Sequence, residues 1–332
     1  MSHEPLLLGI DAGGTSTRAV LTDATGRCFG YGVGGRGNPI SAGPERAADG
    51  VLDAIAAALR PAGRTLADVH TVAPAMAGSR ASVDDSWLRA RLEAEGFTGR
   101  LVFESDLLAT YFSGSAAPSG YALVSGTGAC VIRVRDGLIE GTGDGLGWLL
   151  GDRGSGFWIG QRVVQAVAAD LDGTGPTTAM TDPVLAHYGL QRREAVRQGR
   201  PEVLEDLVSA IYSRPPIEAA ALAPFAFVES DAVDADAVAH GILTSAGEHL
   251  ADTLAAVLAG PGPLVIGGSV LARPGIVRDA FLARLGGAAD GLEMRTVADG
   301  AIGAAFLAVR AAGGEPDEAT LTALTDTVVR FR

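Results

Sequence analysis

The sequence contains no lysine. Its 332 residues include 26 basic side chains, and every one of them is an arginine. A Walker A phosphate loop, a protein kinase and a Schiff-base enzyme each require a lysine amine. The absence excludes these three classes, and a bound nucleotide would have to be held by other groups.

Cysteine and positive charge are also scarce. Cys28 and Cys130 are the two cysteines, and no CxxC pair occurs, which excludes a disulfide framework and a cysteine-rich metal site. The formal net charge is -13. Nucleic acids and anionic membranes attract clustered positive charge, so we expect neither as a partner. Small molecules are the expected substrates.

Long hydrophobic runs are missing as well. The apolar stretch at residues 6–10 is too short for a signal peptide or a membrane-spanning helix, so the expected location is the cytoplasm. At roughly 150 residues per domain, the length indicates two domains. The hydrophobic content of 47% and charged content of 20% indicate a folded globular chain.

Glycine, by contrast, is abundant and clustered. The 46 glycines concentrate at positions 13–14, 30–37, 126–156 and 267–268. Near the N-terminus the pattern predicts a strand, a glycine turn and two further strands, at residues 6–10, 11–15, 18–22 and 27–33. The same order returns at residues 121–125, 126–128, 129–134 and 138–141. This repetition predicts two similar halves.

The remaining periodicity predicts alternating helices and strands. Further strands are expected at residues 69–76, 101–104 and 264–266. Helices are expected at residues 44–59, 84–95, 107–112, 163–171, 201–212, 233–258, 301–310 and 317–332. Three strands followed by alternating helix and strand predict an α/β fold with mixed sheets flanked by helices.

The sequence DAGGTSTR at residues 11–18 is the sharpest motif. Glycine N–H groups and the hydroxyls that follow them can bind phosphate, and Asp11 can hold Mg²⁺ directly or through water. The alternative is that the glycines only form a hairpin turn. A related turn, SGTG at residues 125–128, occupies the corresponding place in the second half. Two such turns favour a phosphate site.

Together the motifs resemble the sugar kinases of the actin, Hsp70 and hexokinase superfamily, and within it the N-acetylglucosamine kinase group of the BadF/BadG/BcrA/BcrD ATPase family. The resemblance is carried by DAGGTSTR at 11–18, ESDLLATYF at 104–112, LVSGTGAC at 123–130, GWLLGDRGSGFWIG at 147–160 and VIGGSV at 265–270. It implies two similar actin/hexokinase-like (ribonuclease H-like) domains with the active site in the cleft between them. We expect the first domain at residues 1–113, joined by a C-terminal helix at 315–332. The second domain, with the adenosine-binding part, is expected at residues 114–314.

The resemblance also implies roles for individual residues. Asp106 is expected to be the general base, because a carboxylate can orient the sugar hydroxyl and accept its proton; the alternative is a helix N-cap. Asp11 is the expected Mg²⁺ residue. The residues expected at the sugar are Asn38, Asp106, Gly147, Trp148 and Asp152. The residues expected at ATP are Gly13, Gly14, Thr15, Thr17, Arg18, Gly126, Thr127, Gly128, Gly267, Gly268 and Ser269.

Several of these residues keep a structural alternative. Asn38 could be a turn residue, since Asn-Pro is a common turn signal. Asp152 could be a loop carboxylate or a cap, and Trp148 could belong to the core. Ser155 is expected to cap the helix that begins at Gly156, and the role of Glu104 is open.

The implied activity is the ATP-dependent phosphorylation of the 6-hydroxyl of N-acetylglucosamine, giving N-acetylglucosamine 6-phosphate and ADP, in a homodimer. Glucosamine kinase is the close alternative: Asp144 could bind an ammonium group, whereas Leu146 suits an acetamido methyl. An ATPase activator of a 2-hydroxyacyl-CoA dehydratase-type enzyme is a distant alternative, because it needs cysteines for an iron–sulfur cluster. A sugar-responsive repressor would need a helix-turn-helix before the first strand.

Two positions depart from the pattern of many relatives. Leu146 stands where they have tryptophan, and Arg153 where they usually have glutamate. The first departure affects the pocket near the sugar's 2-substituent. The second reverses a charge beside the site, so we expect altered loop pairing and an altered sugar preference.

Overall fold

The computed structural model describes residues 5–77, 85–230 and 235–332. The strands in these ranges are β1 (Leu6–Ala12), β2 (Thr17–Thr22), β3 (Cys28–Gly34), β4 (Val69–Ala75), β5 (Arg100–Leu101), β6 (Gly120–Ser125), β7 (Ala129–Arg135), β8 (Leu138–Asp144), β9 (Val196–Arg197), β10 (Arg200–Pro201), β11 (Gly262–Gly267) and β12 (Leu292–Thr296). The helices are α1 (Pro39–Ala42), α2 (Pro44–Leu59), α3 (Ser86–Ala94), α4 (Asp106–Gly114), α5 (Gly156–Asp172), α6 (Thr181–His187), α7 (Glu202–Tyr212), α8 (Ala223–Ser230), α9 (Ala237–Ala255), α10 (Ile276–Leu285), α11 (Ala301–Ala311) and α12 (Glu318–Val328). None of the helices in these ranges is both long and apolar enough to cross a membrane.

The chain folds around two five-stranded sheets of the same design. One has the order β3-β2-β1-β4-β5 and the other β12-β11-β6-β7-β8. In each, three consecutive strands pair antiparallel and the first of them also pairs with a later parallel strand. β9 and β10 form a separate small hairpin. The predicted α/β fold with two similar mixed-sheet halves is confirmed.

Some elements differ from those expected. The predicted helix starts at residues 84 and 233 lie outside the described residues. β12 and α10 were not predicted; β12 is an edge strand whose residues are partly or fully exposed, so its sequence lacks an apolar run. The strand predicted at 101–104 is shorter, and its end continues as a single bridge between Ala75 and Glu104.

Strand β3 packs unusually close to helix α2 because the alternate residues of β3 that face the helix are glycines. A β-carbon at Gly32 would lie 2.1 Å from the carbonyl oxygen of Ala54. At Gly30 and Gly34 the distances to helix carbonyls would be 1.9 and 2.1 Å. The glycine cluster at 30–37 therefore serves the packing of the first domain.

We expect Gly32→Ala to lower the free energy of unfolding by about 2–3 kcal/mol, because the new methyl group must push the helix away. Chemical denaturation would measure the change. Gly241→Ala is the control, since Gly241 is an exposed residue of α9 with open space around it; it should gain about 1 kcal/mol from helix propensity. A Gly32→Ala protein as stable as the parent would contradict the packing argument.

Helices α4 and α11 lie between the two sheets and contact each other. Phe112 and Phe306 stack with ring centroids 4.8 Å apart. Gly303 lies so close to α4 that a β-carbon there would be 1.8 Å from the carbonyl oxygen of Ala109. The core around them includes Val20 of the first sheet and Ile132 of the second. Both domains are thus built onto this helix pair.

The last helices return to the first sheet. Thr327 of α12 accepts a hydrogen bond from the Cys28 amide of β3 at 2.9 Å. α11 also contacts this sheet, because a β-carbon at Gly9 would lie 2.2 Å from the Ala305 nitrogen. The expected domain bounds of 1–113 and 114–314 stay a prediction, in which α11 belongs to the second domain and packs on the first sheet as well.

Candidate active site

The phosphate-type turn lies between β1 and β2, with Asp11 at its start. Asp11 pairs with Arg18 across the two strands, and its Oδ2 accepts a hydrogen bond from the Gly300 amide at 3.1 Å. Nη1 of Arg18 lies 3.9 Å from the same oxygen. Burial raises the pKa of Asp11 to about 6. The nearby Asp299 and Asp106 carboxylates add to this shift, whereas the hydrogen bond from Gly300 opposes it. The negative charges of Asp11 and of the nearby Asp299 and Asp106 carboxylates would stabilise a cation bound here.

The tip of the turn is exposed, whereas its base is fixed. Gly14 and Thr15 are open to solvent. The Gly13 amide donates to the Ser16 carbonyl at 3.1 Å, and the Gly37 amide donates to the Gly13 carbonyl at 3.1 Å. Thr17 is fully buried and its hydroxyl donates to the Gly35 carbonyl. The exposed tip is free to meet a ligand, while Thr17 braces the turn from below.

Asp106 is the first residue of α4, and the N-cap of that helix is Ser105. The Ser105 hydroxyl accepts a hydrogen bond from the Leu107 amide at 3.2 Å, and Oδ1 of Asp106 accepts from the same amide at 2.9 Å. Burial raises the pKa of Asp106 above its ordinary value. The capping position is therefore filled by a neighbour, which leaves Oδ2 of Asp106 without a role in capping.

Glu104 and Arg310 connect the segment before Asp106 to the second domain. Nη2 of Arg310 lies 3.7 Å from Oε2 of Glu104, and Nη1 donates to the Gly137 carbonyl at 2.6 Å. The guanidinium also lies over the Phe112 ring, 5.4 Å from its centroid. Glu104, whose role the sequence leaves open, thus forms an ion pair that links α11 to the segment just before Asp106.

The second glycine turn rests on the start of α5. The Gly156 amide donates to the Gly126 carbonyl at 2.7 Å, and the Phe157 amide donates to the Thr127 carbonyl at 3.1 Å. Ser155 caps α5 as predicted, accepting from the Trp158 amide at 3.1 Å. The turn at residues 125–128 is therefore held in place by a helix N-terminus.

Asp152 lies directly against this second turn. Its Oδ1 accepts a hydrogen bond from the Ala129 amide at 3.1 Å, and a β-carbon at Gly128 would be 3.0 Å from the same carboxylate. Asp152 is buried and has φ +56°, a conformation that aspartate tolerates better than most residues. Burial raises its pKa, and the Ala129 hydrogen bond opposes the shift. The carboxylate is thus buried, oriented and next to the glycine turn.

Asp144 organises the loop that leads to Asp152. Its Oδ1 accepts from the Asp152 amide at 2.7 Å and its Oδ2 from the Arg153 amide at 2.9 Å. The Leu146 amide is 3.5 Å from Oδ1, and the Leu146 side chain is 65% exposed. Both oxygens of Asp144 therefore serve the loop backbone.

The two departing positions and the tryptophan lie around this loop. Arg153 lines a cavity of about 310 Å³ together with Leu146 and His249. Trp148 is partly exposed, with its ring centroid 5.8 Å from that of Phe157. Arg153 therefore faces α9, and Trp148 is an exposed residue rather than a core residue.

The late glycine pair packs against the second turn, beside a cavity. Gly268 has φ +85°, and a β-carbon there would lie 2.3 Å from the Ser125 carbonyl oxygen. A cavity of about 260 Å³ next to it is lined by Gly126 and Thr127 on one side and by Ser269 and Phe227 on the other. Of the residues that the sequence assigned to ATP in the second domain, Gly126, Thr127 and Ser269 therefore line one pocket, whereas Gly128, Gly267 and Gly268 are not among its lining residues.

Asn38 combines a turn role with proximity to the first turn. It is buried, and its Oδ1 accepts from the Ile40 amide at 2.9 Å, which caps α1. Its Nδ2 donates to the Ala77 carbonyl at 3.3 Å. Ser41 of the same helix would be 3.3 Å from a β-carbon at Gly14. The turn role expected as an alternative for Asn38 thus accounts for the contact of its Oδ1, but not for the hydrogen bond that its Nδ2 donates to Ala77.

The carboxylates of the two domains converge near Cys130. Burial raises the pKa of the Cys130 thiol to about 11, and the negative charges of Asp106, Asp144 and Asp152 add to the shift. Asp106 belongs to the N-terminal part of the chain and also acts on Asp11. Asp106 therefore lies close enough to Asp11 of the first turn, and to Cys130 beside the Asp152 loop, for its charge to act on both.

Sequence reasoning missed Asp299 and Arg332. Oδ1 of Asp299 accepts from the Arg332 guanidinium at 2.9 Å, and Oδ2 lies 3.4 Å from Nε of Arg18. The Asp-Gly pair before α11 is no specific signal, because the sequence contains five other Asp-Gly pairs. Nothing in the sequence indicated that Arg332 reaches this place.

In the part of the chain that the structure describes, no group of three or more histidine, cysteine, aspartate or glutamate side chains could hold a metal ion. Mg²⁺ differs from other metals because it keeps several waters and binds one or two carboxylates together with substrate phosphates. The carboxylate of Asp11, whose side chain is 16% exposed, fits that mode of binding.

Comparisons with known proteins agree with the fold and the motifs. The family model of the BadF/BadG/BcrA/BcrD ATPase family matches residues 8–308. N-acetyl-D-glucosamine kinase of Dictyostelium discoideum is 27% identical over 93% of this chain and 99% of its own length. Glucosamine kinase GspK of Vibrio cholerae is 30% identical over 54% of this chain and 60% of its own length.

A solved structure shows the same fold. It is a candidate N-acetylglucosamine kinase from Chromobacterium violaceum, with a TM-score of 0.71 and 24% identity over 92% of this chain and 99% of that one. The expected actin/hexokinase-like architecture is confirmed. Since the family match extends over most of the sequence, the chain belongs to the BadF/BadG/BcrA/BcrD ATPase family.

Proposed function

We propose that the protein is an ATP-dependent kinase that phosphorylates the 6-hydroxyl of N-acetylglucosamine. The observation that carries this proposal is that Asp106, a half-buried carboxylate, lies close enough to Asp11 of the first glycine turn and to Cys130 beside the Asp152 loop for its charge to act on both. Phosphoryl transfer to a sugar needs this arrangement, because the hydroxyl must sit between a proton acceptor and the γ-phosphate. Two of its relatives, N-acetyl-D-glucosamine kinase of Dictyostelium discoideum and glucosamine kinase GspK of Vibrio cholerae, support the reaction type.

Asp106 would act as the general base. Its carboxylate would orient the sugar hydroxyl and accept its proton as the oxygen attacks the γ-phosphate. Burial raises its pKa, which makes it a better proton acceptor than an exposed aspartate. Ser105 is the N-cap of α4, so the Asp106 carboxylate can be directed at a substrate.

The two glycine turns would hold the ATP phosphates. In the first, Gly14, Thr15 and Arg18 offer N–H groups, a hydroxyl and a guanidinium. The Gly13 amide already donates to the Ser16 carbonyl, so Gly13 shapes the turn, and Thr17 supports it through Gly35. In the second, Thr127 and Gly128 offer backbone donors, while the Gly126 amide closes the turn by donating to the Gly128 carbonyl at 2.9 Å. The cavity bounded by Thr127 and Ser269, next to Gly267 and Gly268, would take the adenosine.

Mg²⁺ would be held by Asp11, with the remaining positions taken by phosphate oxygens and water. It would neutralise negative charge on the phosphates during transfer. Asp11 is placed for this by the Gly300 amide and by Arg18.

The sugar would contact Asn38, Gly147, Trp148 and Asp152 in addition to Asp106. Asp152 would accept hydrogen bonds from two hydroxyls, which explains why a buried carboxylate with only one described backbone donor is present there. Trp148 offers a partly exposed ring, and Gly147, with φ +82°, allows the loop to turn there.

Glucosamine is the second candidate substrate. The partial match to glucosamine kinase GspK favours it. Its ammonium group would need a carboxylate, but both oxygens of Asp144 already accept loop N–H groups. The exposed Leu146 suits the acetamido methyl, so N-acetylglucosamine stays the first candidate.

The test is the rate of ADP release from Mg-ATP with N-acetylglucosamine, glucosamine, N-acetylmannosamine, N-acetylmuramic acid and glucose. We expect N-acetylglucosamine to give the largest kcat/KM, at least about tenfold above glucosamine, since one satisfied polar group is worth that factor. Phosphorus NMR of the product would identify the 6-position. Absence of sugar-stimulated ADP release with every sugar would refute the kinase proposal.

A homodimer and a cytoplasmic location remain predictions from the sequence. Light scattering of the purified protein would measure the first, with a mass of about twice the 33.7 kDa chain expected.

A further inference from the structure

Asp299 lies between two arginines beside the first glycine turn. Its Oδ2 is 3.4 Å from Nε of Arg18, and its Oδ1 accepts a hydrogen bond from Nη2 of Arg332 at 2.9 Å. Oδ1 also accepts from the Ala301 amide at 3.0 Å, at the start of α11. Only 11% of the side chain is exposed. A carboxylate so removed from water depends on its counter-charges.

Arg18 is shared between two carboxylates. While its Nε faces Asp299, its Nη1 lies 3.9 Å from Oδ2 of Asp11. Arg332 supplies the second positive charge, and its guanidinium is held over the Tyr31 ring of β3, 5.2 Å from the centroid. Two carboxylates are thus balanced by two arginines, one of which comes from the far end of the sequence.

We propose that Arg332 is a positioning residue of the nucleotide site, which neutralises Asp299 and so leaves Arg18 available to Asp11 and to the ATP phosphates. The inference rests on the proposed nucleotide site at residues 11–18. Its described contacts are to Asp299 and Tyr31, so Arg332 acts through Asp299.

Loss of Arg332 alone should weaken nucleotide binding for two reasons of the same sign. Asp299 would keep Arg18 as its one described ion-pair partner and draw it away from Asp11, because a mostly buried carboxylate without its counter-charge is costly. The site would also gain net negative charge close to the phosphates. If the charge of Asp299 is removed as well, both effects disappear. Asp299→Asn should therefore suppress the defect of Arg332→Gln.

The experiment is a double-mutant cycle on Mg-ADP affinity, measured by calorimetry without sugar, together with KM and kcat for Mg-ATP. Arg332→Gln should weaken Mg-ADP binding about tenfold, the factor associated with one charge-assisted hydrogen bond, and leave kcat within about threefold. The double variant Asp299→Asn/Arg332→Gln should bind within about threefold of Asp299→Asn alone. Arg332→Lys, which keeps the charge, should restore most of the affinity.

Arg284→Gln is the matched control, because Arg284 forms a comparable Arg–Asp pair at 2.8 Å with Asp252, on the exposed surface of α9 and α10. Its Mg-ADP affinity should equal that of the parent. Unchanged affinity in Arg332→Gln, additive effects in the double variant, or no recovery in Arg332→Lys would each overturn the proposal. A parent protein that binds no Mg-ADP would instead refute the proposed nucleotide site.

Discussion

Asp106→Asn is expected to lower kcat for sugar phosphorylation by about three orders of magnitude, the range that general base catalysis supplies. The amide has the same shape and can still accept the Leu107 hydrogen bond, but it cannot take a proton. The dissociation constant of the sugar should change little. Steady-state kinetics and calorimetric sugar titration would measure the two quantities separately.

The pH profile gives an independent readout of the same residue. Asp106 must be deprotonated to act, so kcat of the parent should fall as the pH drops through its pKa. Because burial raises that pKa, the fall should begin at a higher pH than for an exposed aspartate. The asparagine variant should lack this acid limb.

The control for Asp106 is Ser105→Ala. It removes the hydroxyl that caps α4 and should cost about 1 kcal/mol of stability while kcat stays near that of the parent. Near-normal turnover in Asp106→Asn, or equal loss of turnover in Ser105→Ala, would show that the position matters for the helix rather than for the chemistry.

Asp152→Ala is expected to raise the sugar KM by about a hundredfold, because two charge-assisted hydrogen bonds to sugar hydroxyls would be lost. Asp152→Asn should have a smaller effect, about tenfold, since it keeps an acceptor for the Ala129 amide and loses only the charge. In the asparagine variant Mg-ADP affinity should stay within about threefold of the parent, because the second glycine turn keeps its brace.

Asp136→Ala is the matched control for this position. Asp136 is an exposed aspartate of the same half of the chain, with φ +52° against +56° at Asp152, so alanine meets the same backbone cost there. The control should lose stability and keep its sugar KM. A sugar KM in Asp152→Ala no higher than in Asp136→Ala would remove Asp152 from the sugar site.

The repeated glycine turns explain why the fold could be read from the sequence. Each turn follows a buried strand, and the order strand, turn, strand, strand is encoded by local apolar runs that need no tertiary information. Strand β12 could not be predicted from the sequence, because an edge strand buries few side chains and therefore shows no apolar run. Helix α10 lies on α9 and carries only three fully buried residues, so its periodicity is weak.

The site was accessible from the sequence only where a motif is continuous. Asp11, Asp106 and Asp152 stand in motifs whose glycines and hydroxyls mark them. The link between Arg332 and Asp299, and that between Arg310 and Glu104, join residues distant in sequence, and a single arginine carries no local sign of its partner. Such pairs are specified by the packing of α11 and α12 rather than by residue pattern.

The contact of Gly303 with the Ala109 carbonyl limits how the two halves can move. Since the helices α4 and α11 touch backbone to backbone at this point, sliding one along the other would bring a neighbouring side chain into the contact. Rotation about the crossing point keeps the contact intact. We therefore expect any opening and closing of the cleft to be a hinge motion with its axis at Gly303. Helices α4 and α11 would rotate against each other as rigid bodies, which would change the distance between Asp106 and Gly300 at their N-terminal ends.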